Sequence, residues 1–203
     1  MVQPVTHSRG SMLSAIIATY ESERTLVPTL AALVPGATAG LLAEVIVADA
    51  GSRDATAEVA DIAGCRFMSA SEPLGLRLKA AALSTRTSWL LFLRPGTVPD
   101  PAWVAAANRF MRTADRQGDR ARAAVFRPSG AADPMRPALA EVFALLRAAF
   151  GGGIRPEQGL LISRRLYESV GGHAAGADPE AALLRRLGRR RIAMLPAGAR
   201  APD

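Results

Sequence analysis

Three apolar runs of the sequence are each followed directly by side chains that could bind a ligand. They are Thr19, Tyr20 and Glu21 after the run 13–18, Asp49 after the run 44–48, and Arg94 after the run 89–93. A carboxylate at the end of a strand is well suited to accept hydrogen bonds from N–H or hydroxyl groups, and a guanidinium can bind phosphate through two hydrogen bonds. These segments are therefore the first candidates for a ligand site.

The elements around these segments predict how the side chains are positioned. Apolar runs at 13–18, 44–48, 65–68 and 89–93 alternate with helical patterns at 26–33, 58–63 and 74–83. The alternation is typical of an α/β fold with a mostly parallel open sheet and right-handed crossovers. In such sheets ligands bind beyond the carboxyl ends of the strands. In the first helix, Pro28 is expected in the first turn, and Pro35 with Gly36 is expected to end the helix.

The second half of the chain is less regular. We expect a helix from about 101 to 111, a charged stretch at 113–122, a short strand at 123–126 and a helix at 137–150 that three glycines end at 151–153. A strand at 159–162, helices at 164–170 and 179–187 and a strand at 192–195 complete the prediction. Residues 1–11 are interpreted as a flexible lead, and residues 12–203 as a single domain.

The charge of the chain is strongly basic. The formal net charge is +7 and the isoelectric point is near 11.0, but Lys79 is the only lysine among 25 basic residues. This arginine excess reads as a bias of the whole chain, so no nucleic-acid partner is expected. The five arginines between 185 and 191 are the exception. They are either a solvated helix end that complements the helix dipole or a contact with phosphate or lipid headgroups.

The cysteine and histidine content limits the chemistry further. Cys65 is the only cysteine and the chain has two histidines, so neither an internal disulfide nor a zinc cluster is expected. The apolar run at 12–19 is too short to span a bilayer. The prediction is a cytoplasmic protein, with attachment to the periphery of the inner membrane through the arginines as a hypothesis.

The order of these motifs resembles the family 2 glycosyltransferases. The first segment, 13–23, resembles the family's opening strand with Pro-Thr-Tyr-Asn-Glu, and 45–56 resembles its second signature of an Asp, small residues, Ser, Thr, Asp and Gly after a valine-rich strand. The segment 89–99 resembles the strand before the family's acidic motif, and 158–172 its later acceptor-side strand, helix and glycine pair. The resemblance covers about 12–197 and is closest to short bacterial members without a membrane anchor.

The resemblance implies a GT-A fold and a nucleotide-sugar donor. It implies that Tyr20 stacks on a uracil ring, that Thr19 lies against the nucleoside and that Asp49 accepts a hydrogen bond from base or ribose, with Glu21 in the same segment. Lys79 stands where the family usually has an asparagine near the nucleotide, and it could pair with phosphate. Ser52 and Asp54 are interpreted first as caps of the following helix, and second as ligand contacts.

The metal-binding signature of the family is missing from the sequence. The family implies Mg²⁺ or Mn²⁺ held by acidic residues after the fourth strand, whereas this chain has Arg94, Pro95 and Gly96 there. Such hard cations need oxygen ligands, which these side chains do not provide, so no metal ligands are assigned. Arg94 either neutralises the diphosphate in place of the cation or is an exposed loop arginine.

Inverting members of the family take a proton from the acceptor hydroxyl with an Asp or Glu at the start of a late helix. Glu180 and Asp178 are the candidates for this base. The alternative explains them by helix chemistry alone, with Asp178 as N-cap, Pro179 as the first helical residue and Glu180 in the first turn. His173 is interpreted as a packing residue.

Three functions follow from these observations. The first is transfer of a sugar from a nucleotide diphosphate sugar, with uridine as the expected nucleoside, to an acceptor that the sequence does not identify. The second is an inactive relative that binds a nucleotide or a partner protein without turnover. A weaker third is a basic module for anionic lipid or nucleic acid, which would lose binding with added salt.

Overall fold

The computed structural model describes residues 13–118, 121–128 and 154–201. The predicted lead at 1–11, the predicted helix at 137–150 and the three glycines that follow it lie outside the described residues. The strands are β1 (Leu13–Thr19), β2 (Leu42–Asp49), β3 (Arg66–Ser69), β4 (Trp89–Leu93), β5 (Val98–Pro99), β6 (Ala123–Pro128), β7 (Leu160–Ser163) and β8 (Ile192–Arg200). The α-helices are α1 (Glu23–Thr38), α2 (Thr56–Ile62), α3 (Leu74–Ser84), α4 (Trp103–Gln117), α5 (Arg164–Ser169) and α6 (Pro179–Leu187).

The strands form one mixed sheet with the order β3-β2-β1-β4-β7-β6-β8-β5. Strands β3, β2, β1 and β4 are parallel to one another, whereas β7 is antiparallel to both β4 and β6. The chain moves outward from β1 to β2 and β3 and then returns to place β4 on the other side of β1. This reversal opens a crevice beyond the carboxyl ends of β1 and β4, which is where open α/β sheets bind ligands.

Both faces of the sheet are covered by helices. One hydrophobic cluster packs α1, α2 and α4 on one face, and a second packs α3, α5 and α6 on the other. The central strands are therefore largely buried: β4 is apolar throughout with all five residues buried, and six of the seven residues of β1 are buried. Trp89 and Trp103, which the sequence predicts as packing residues, are both fully buried.

The structure corrects the prediction for the first helix. Helix α1 passes through Pro28 and Pro35 and ends only at Thr38. The carbonyl groups that lose a hydrogen-bond donor to these prolines belong to Arg24 and Ala31, which are exposed, so water can replace the missing N–H groups. The glycine at the end of this helix is Gly40, which has a φ of 68°.

Gly36 has a different role from the predicted helix stop. A Cβ atom at Gly36 would overlap the ring of Trp103, whose Nε1 donates to the carbonyl oxygen of Ala32 at 2.9 Å. The glycine therefore lets the indole of α4 lie against the backbone of α1. It is a packing residue and does not end the helix.

Other boundaries differ from the predictions by a few residues. Helix α4 includes much of the charged stretch predicted at 113–122, because its polar residues lie on the exposed face of an amphipathic helix. Strand β5 has only two residues and was not predicted. Among the described helices, none is both long and apolar enough to cross a bilayer.

Candidate functional site

The ends of β1 and β2 are joined through the carboxylate of Asp49. Thr19 is paired with Asp49 in the sheet, and its hydroxyl donates to Oδ1 at 2.8 Å. The hydroxyl of Ser52 donates to the same oxygen, while the N–H groups of Gly51 and Ser52 each donate to Oδ2 at 2.7 Å. Asp49 is 1% exposed and receives four hydrogen bonds from the protein. In this structure its carboxylate organises the loop after β2.

The hydrogen bonds of Asp49 also determine its ionisation. Burial alone raises the pKa of this carboxyl group, but the bonds from Ser52, Thr19 and Gly51 outweigh burial and hold the pKa below its ordinary value. Asp49 therefore stays ionised at neutral pH. A ligand that uses this carboxylate would have to share oxygens that already accept from the protein.

A second set of hydrogen bonds joins the loops after β1 and β2. Five bonds cross between them: Glu21 N to Ser52 Oγ, Ser22 N to Thr56 Oγ1, Glu23 N to Asp54 Oδ2, Arg53 N to Glu21 Oε1, and Ala55 N to Glu23 Oε2. The loops are thus fixed relative to each other by side-chain to backbone bonds of 2.8 to 3.1 Å. Glu21 has a φ of 47°, a strained conformation that these bonds stabilise.

Of the two residues interpreted first as helix caps, Asp54 binds helix N-termini, whereas Ser52 does not. Asp54 Oδ1 accepts from the backbone N–H of Thr56 in the first turn of α2, and Oδ2 accepts from Glu23 in the first turn of α1. The N-cap residue itself is Ala55. The side chain of Asp54 therefore accepts hydrogen bonds from the first turns of two helices. The hydroxyl of Ser52 donates to Asp49 and accepts from the N–H of Glu21.

The side chain of Tyr20 is 65% exposed at this edge of the sheet. Its backbone N–H and C=O are both bound by the hydroxyl of Ser22, so the main chain is fixed while the ring faces solvent. The ring of Tyr20 is therefore accessible to a ligand at this edge of the sheet.

Helix α3 brings a cation to the same edge, and it is Arg77. Arg77 Nη1 donates to the carbonyl oxygens of Ala48 and Thr19 at 2.5 and 3.4 Å, and Nε donates to that of Glu72 at 3.1 Å. Burial lowers the pKa of this guanidinium, and the charges of Asp49 and Glu72 partly offset that effect. Sequence reasoning did not select Arg77.

Lys79, which the sequence did select, points elsewhere. Its Nζ donates to the carbonyl oxygen of Gly171 at 3.1 Å. Two helical residues separated by two positions face directions about 160° apart, so α3 presents only one of Arg77 and Lys79 to the strand ends. Helical periodicity could have distinguished Arg77 from Lys79 in the sequence. It would have required the buried face of α3 to be assigned from Leu78 and Ala81.

Arg94 lies directly after β4 and is held by two carboxylates. Its Nε and Nη2 donate to Glu180 Oε2 at 2.9 and 2.5 Å, and its Nη1 donates to Glu157 Oε1 at 2.8 Å. The Arg94 side chain is 35% exposed and that of Glu180 is 14% exposed. We call Arg94, Glu157 and Glu180 the arginine clamp. It combines one positive and two negative charges at the carboxyl edge of the sheet.

The arginine clamp keeps Arg94 charged and makes a poor metal site. Partial burial alone lowers the pKa of Arg94, but Glu180, with smaller contributions from Glu157 and Asp178, outweighs it and raises the pKa. A divalent cation does not fit here, because the guanidinium is positive and already occupies the nearby carboxylates. Among the described residues, no group of three or more His, Cys, Asp or Glu side chains is arranged to hold a metal.

The two candidate bases differ in position. Asp178 is the N-cap of α6: its Oδ1 accepts from the N–H of Ala181 at 3.0 Å, and Pro179 follows as the first helical residue. This is the helix chemistry that the sequence suggested as the alternative reading of the segment. Glu180 instead turns toward the crevice and contacts Arg94. Of the two carboxylates, only that of Glu180 is bound within the arginine clamp.

A cleft lies beside the arginine clamp. Its lining includes Phe92, Arg155, Pro156, His173, Glu180 and Leu184. His173 is 1% exposed, its ring contacts Phe92 edge-on at 4.7 Å between centroids, and its Nδ1 lies 3.0 Å from Tyr167 Oη. The backbone N–H of His173 donates to the same hydroxyl, so two hydrogen bonds join His173 to Tyr167. His173 is a packing residue, as predicted, that also forms one wall of the cleft.

Close packing between α3 and the segment before α6 positions Glu180. A Cβ atom at Gly75 would overlap the carbonyl group of Ala174 and the ring of Pro179. Only a residue without a side chain lets α3 approach this segment so closely. Gly75 is therefore required for the close contact between α3 and Pro179, which is the residue directly before Glu180 in the first turn of α6.

This architecture is also found in solved structures. Glucosyl-3-phosphoglycerate synthase from Mycobacterium tuberculosis in complex with phosphoglyceric acid matches with a TM-score of 0.69 and 23% sequence identity, over 96% of this chain and 73% of that chain. The complex of that enzyme with Mn²⁺, uridine diphosphate and glucosyl-3-phosphoglycerate matches with a TM-score of 0.68 at 23% identity, over the same shares of the two chains. Its complex with Mn²⁺, UDP-glucose and phosphoglyceric acid matches with a TM-score of 0.64 at 24% identity, over 91% and 69%. The chain has a GT-A-like fold.

The likeness confirms the predicted fold class and goes no further at this level of identity. No family model and no curated protein sequence matches the chain. The fold is similar to that of this synthase, and any activity of the chain has to be argued from the residues of the site. The assigned site residues stay predictions, now with known positions.

Proposed function

We propose that this protein is a glycosyltransferase that uses a nucleotide diphosphate sugar, with uridine as the nucleoside. The observation that supports this most is the convergence of an exposed aromatic ring, a cation and a carboxylate at the carboxyl edge of a GT-A-like sheet. Tyr20 supplies the ring, Arg94 the cation and Glu180 the carboxylate. The solved structures of similar fold include complexes of their enzyme with uridine diphosphate and UDP-glucose.

Each group has a distinct task in this proposal. Tyr20 stacks on the base, while the fixed loops after β1 and β2 hold the nucleoside beside Thr19 and Asp49. Arg77 adds positive charge near the same strand ends. Arg94 neutralises the diphosphate as it leaves, which is a role that a guanidinium can fill through two parallel hydrogen bonds.

The reaction would be a single displacement at the sugar's anomeric carbon. Glu180 takes the proton of an acceptor hydroxyl, the acceptor oxygen forms a bond to the anomeric carbon, and the bond to the diphosphate breaks. The electron pair of that bond stays on the diphosphate, next to Arg94. The small cleft beside Glu180, with Arg155 and His173 in its walls, is proposed as the side from which the acceptor hydroxyl reaches Glu180.

One observation favours a second candidate, a protein that binds a nucleotide without turnover. Glu180 Oε2 accepts two hydrogen bonds from Arg94 in the described structure, so this oxygen is already occupied and not free for an acceptor hydroxyl. If Glu180 never leaves Arg94, the nucleotide site could exist without catalysis. Turnover measurements separate the two candidates.

Calorimetric titration with uridine diphosphate, with and without Mn²⁺, tests the nucleotide site. The variant Tyr20→Ala is suitable because the ring is exposed, so its loss should not disturb the fold. Stacking of a base on an aromatic ring contributes about 1–3 kcal/mol, so we expect the affinity to fall roughly 5- to 150-fold. The control is Ile62→Ala, which removes a 79% exposed apolar side chain at the far end of α2.

The outcomes distinguish the candidates. Binding that Tyr20→Ala weakens and Ile62→Ala leaves unchanged supports the nucleotide site. Sugar release from UDP-glucose, measured with and without candidate acceptors, then separates a transferase from a binding protein. Absence of uridine diphosphate binding in every condition would rule out the nucleotide site, and with it both candidates.

A further inference from the structure

The arginine clamp leaves no room for a diphosphate in its present arrangement. Glu180 Oε2 occupies the Nε and Nη2 edge of Arg94, which is the edge that binds an anion through two parallel hydrogen bonds. The clamp carries a net charge of one negative, because two glutamates face one arginine. A diphosphate that approached the clamp would therefore meet an occupied and repulsive surface.

The contacts of Arg94 suggest how this conflict is resolved. Glu157 binds a different nitrogen, Nη1, from a different element, the 3₁₀ turn Pro156–Gln158 before β7. If Glu180 left, Arg94 would still be held by Glu157 and its Nε and Nη2 edge would be open. Arg94 is also fixed at its base, because the turn after it is bound to α1 through the Gly96 N–H and the hydroxyl of Thr29 at 2.9 Å.

We propose that the diphosphate of the donor displaces Glu180 from Arg94, so that Glu180 becomes available to the acceptor only when the donor is bound. This inference rests on the proposed function. Before displacement, Glu180 Oε2 accepts two hydrogen bonds from Arg94 and is not free to accept one from an acceptor hydroxyl. After displacement, Glu180 faces the cleft at its first-turn position on α6 and Arg94 is paired with the leaving group. One exchange of partners prepares both groups for the reaction.

The exchange predicts that loss of a residue of the site strengthens ligand binding. Because Glu180 competes with the diphosphate for Arg94, removing its charge should strengthen the binding of uridine diphosphate. We expect Glu180→Gln to raise the affinity about tenfold, the scale of one charge-assisted hydrogen bond that no longer has to be broken. Arg94→Gln should lower the affinity by a similar factor. A merely structural role of Glu180 would weaken binding or leave it unchanged.

Uridine is the matched ligand control, because it lacks the diphosphate. Glu180→Gln should leave the affinity for uridine unchanged while it strengthens that for uridine diphosphate. Asp61→Asn is the matched protein control, since it removes one negative charge from an exposed position at the far end of α2. Glu180→Ala serves as a second variant, and circular dichroism verifies the fold of each. All titrations are carried out in EDTA.

The outcomes separate this inference from the proposed function. If neither ligand binds the wild-type protein, the nucleotide site is refuted and the exchange falls with it. If uridine diphosphate binds but both Glu180 variants bind it no more tightly than wild type, the exchange is refuted while the nucleotide site stands. An equal gain with Asp61→Asn would also refute the exchange, because it would show that net charge alone causes the effect.

Discussion

Replacement of His173 by asparagine should remove a large part of the acid sensitivity of this protein. The imidazole is buried between Phe92 and Tyr167, and burial, with a smaller effect from the positive charge of Arg186, lowers its pKa from 6.5 to about 4. In the folded protein His173 therefore stays neutral down to about pH 4. In the unfolded chain it takes up a proton as the pH falls through its ordinary pKa.

The sign and size of the effect follow from this difference. The unfolded state binds more protons than the folded state between pH 6.5 and 4, so stability falls as the pH is lowered through that window. With one pKa unit equivalent to about 1.36 kcal/mol, the loss from His173 is about 2 kcal/mol between pH 7.5 and pH 5 and about 3 kcal/mol when the titration is complete. Hydrogen bonds outweigh desolvation and lower the pKa values of Asp49 and Asp54. These two carboxylates therefore lose their stabilising effect only below their ordinary pKa of 3.8, outside the range from pH 7.5 to pH 5.

Urea unfolding at pH 7.5 and pH 5 measures the effect. Asparagine can accept a hydrogen bond near the position of Nδ1 and does not titrate, so His173→Asn keeps a partner for the Tyr167 hydroxyl. We expect the variant to be less stable than wild type at pH 7.5 and to lose about 2 kcal/mol less than wild type on going to pH 5. Equal losses in the two proteins would refute the reasoning.

Three further predictions concern the site. Gly75→Ala should destabilise the protein by about 1–3 kcal/mol, because the new methyl group would overlap the carbonyl oxygen of Ala174, and thermal unfolding against the exposed-residue control Leu76→Ala would show it. Arg94→Asp should create a cluster of three carboxylates, so we expect Mn²⁺ to raise the melting temperature of this variant and not that of wild type. If Mn²⁺ left the melting temperature of the variant unchanged, that result would contradict the geometry of the arginine clamp. Asp49→Asn should cost about 1–3 kcal/mol in urea unfolding, since an amide cannot accept all four hydrogen bonds, and an unchanged stability would show that these bonds are not stabilising.

Much of the fold could be predicted from the sequence because the signals were local. Buried parallel strands are continuous apolar runs, and the predicted run 89–93 is strand β4 without change of boundary. The alternation of runs and helical patterns predicted the α/β class, which the similar solved structures confirm. One error came from interpreting Pro35 and Gly36 as a helix end. That reading ignores the packing of Trp103 against Gly36, a contact that joins residues far apart in the chain.

The candidate site divides in the same way. The sequence by itself determined which chemical groups follow the strands, because a side chain directly after a parallel strand must lie at the carboxyl edge of the sheet. Only the tertiary structure decided what those groups bind. Arg94 binds Glu157 and Glu180, which are 63 and 86 residues away in the chain. The carboxylate oxygens of Asp49 accept hydrogen bonds from its own loop and from Thr19. Local pattern carries no information about such partners, since a contact at that separation depends on how every intervening element packs.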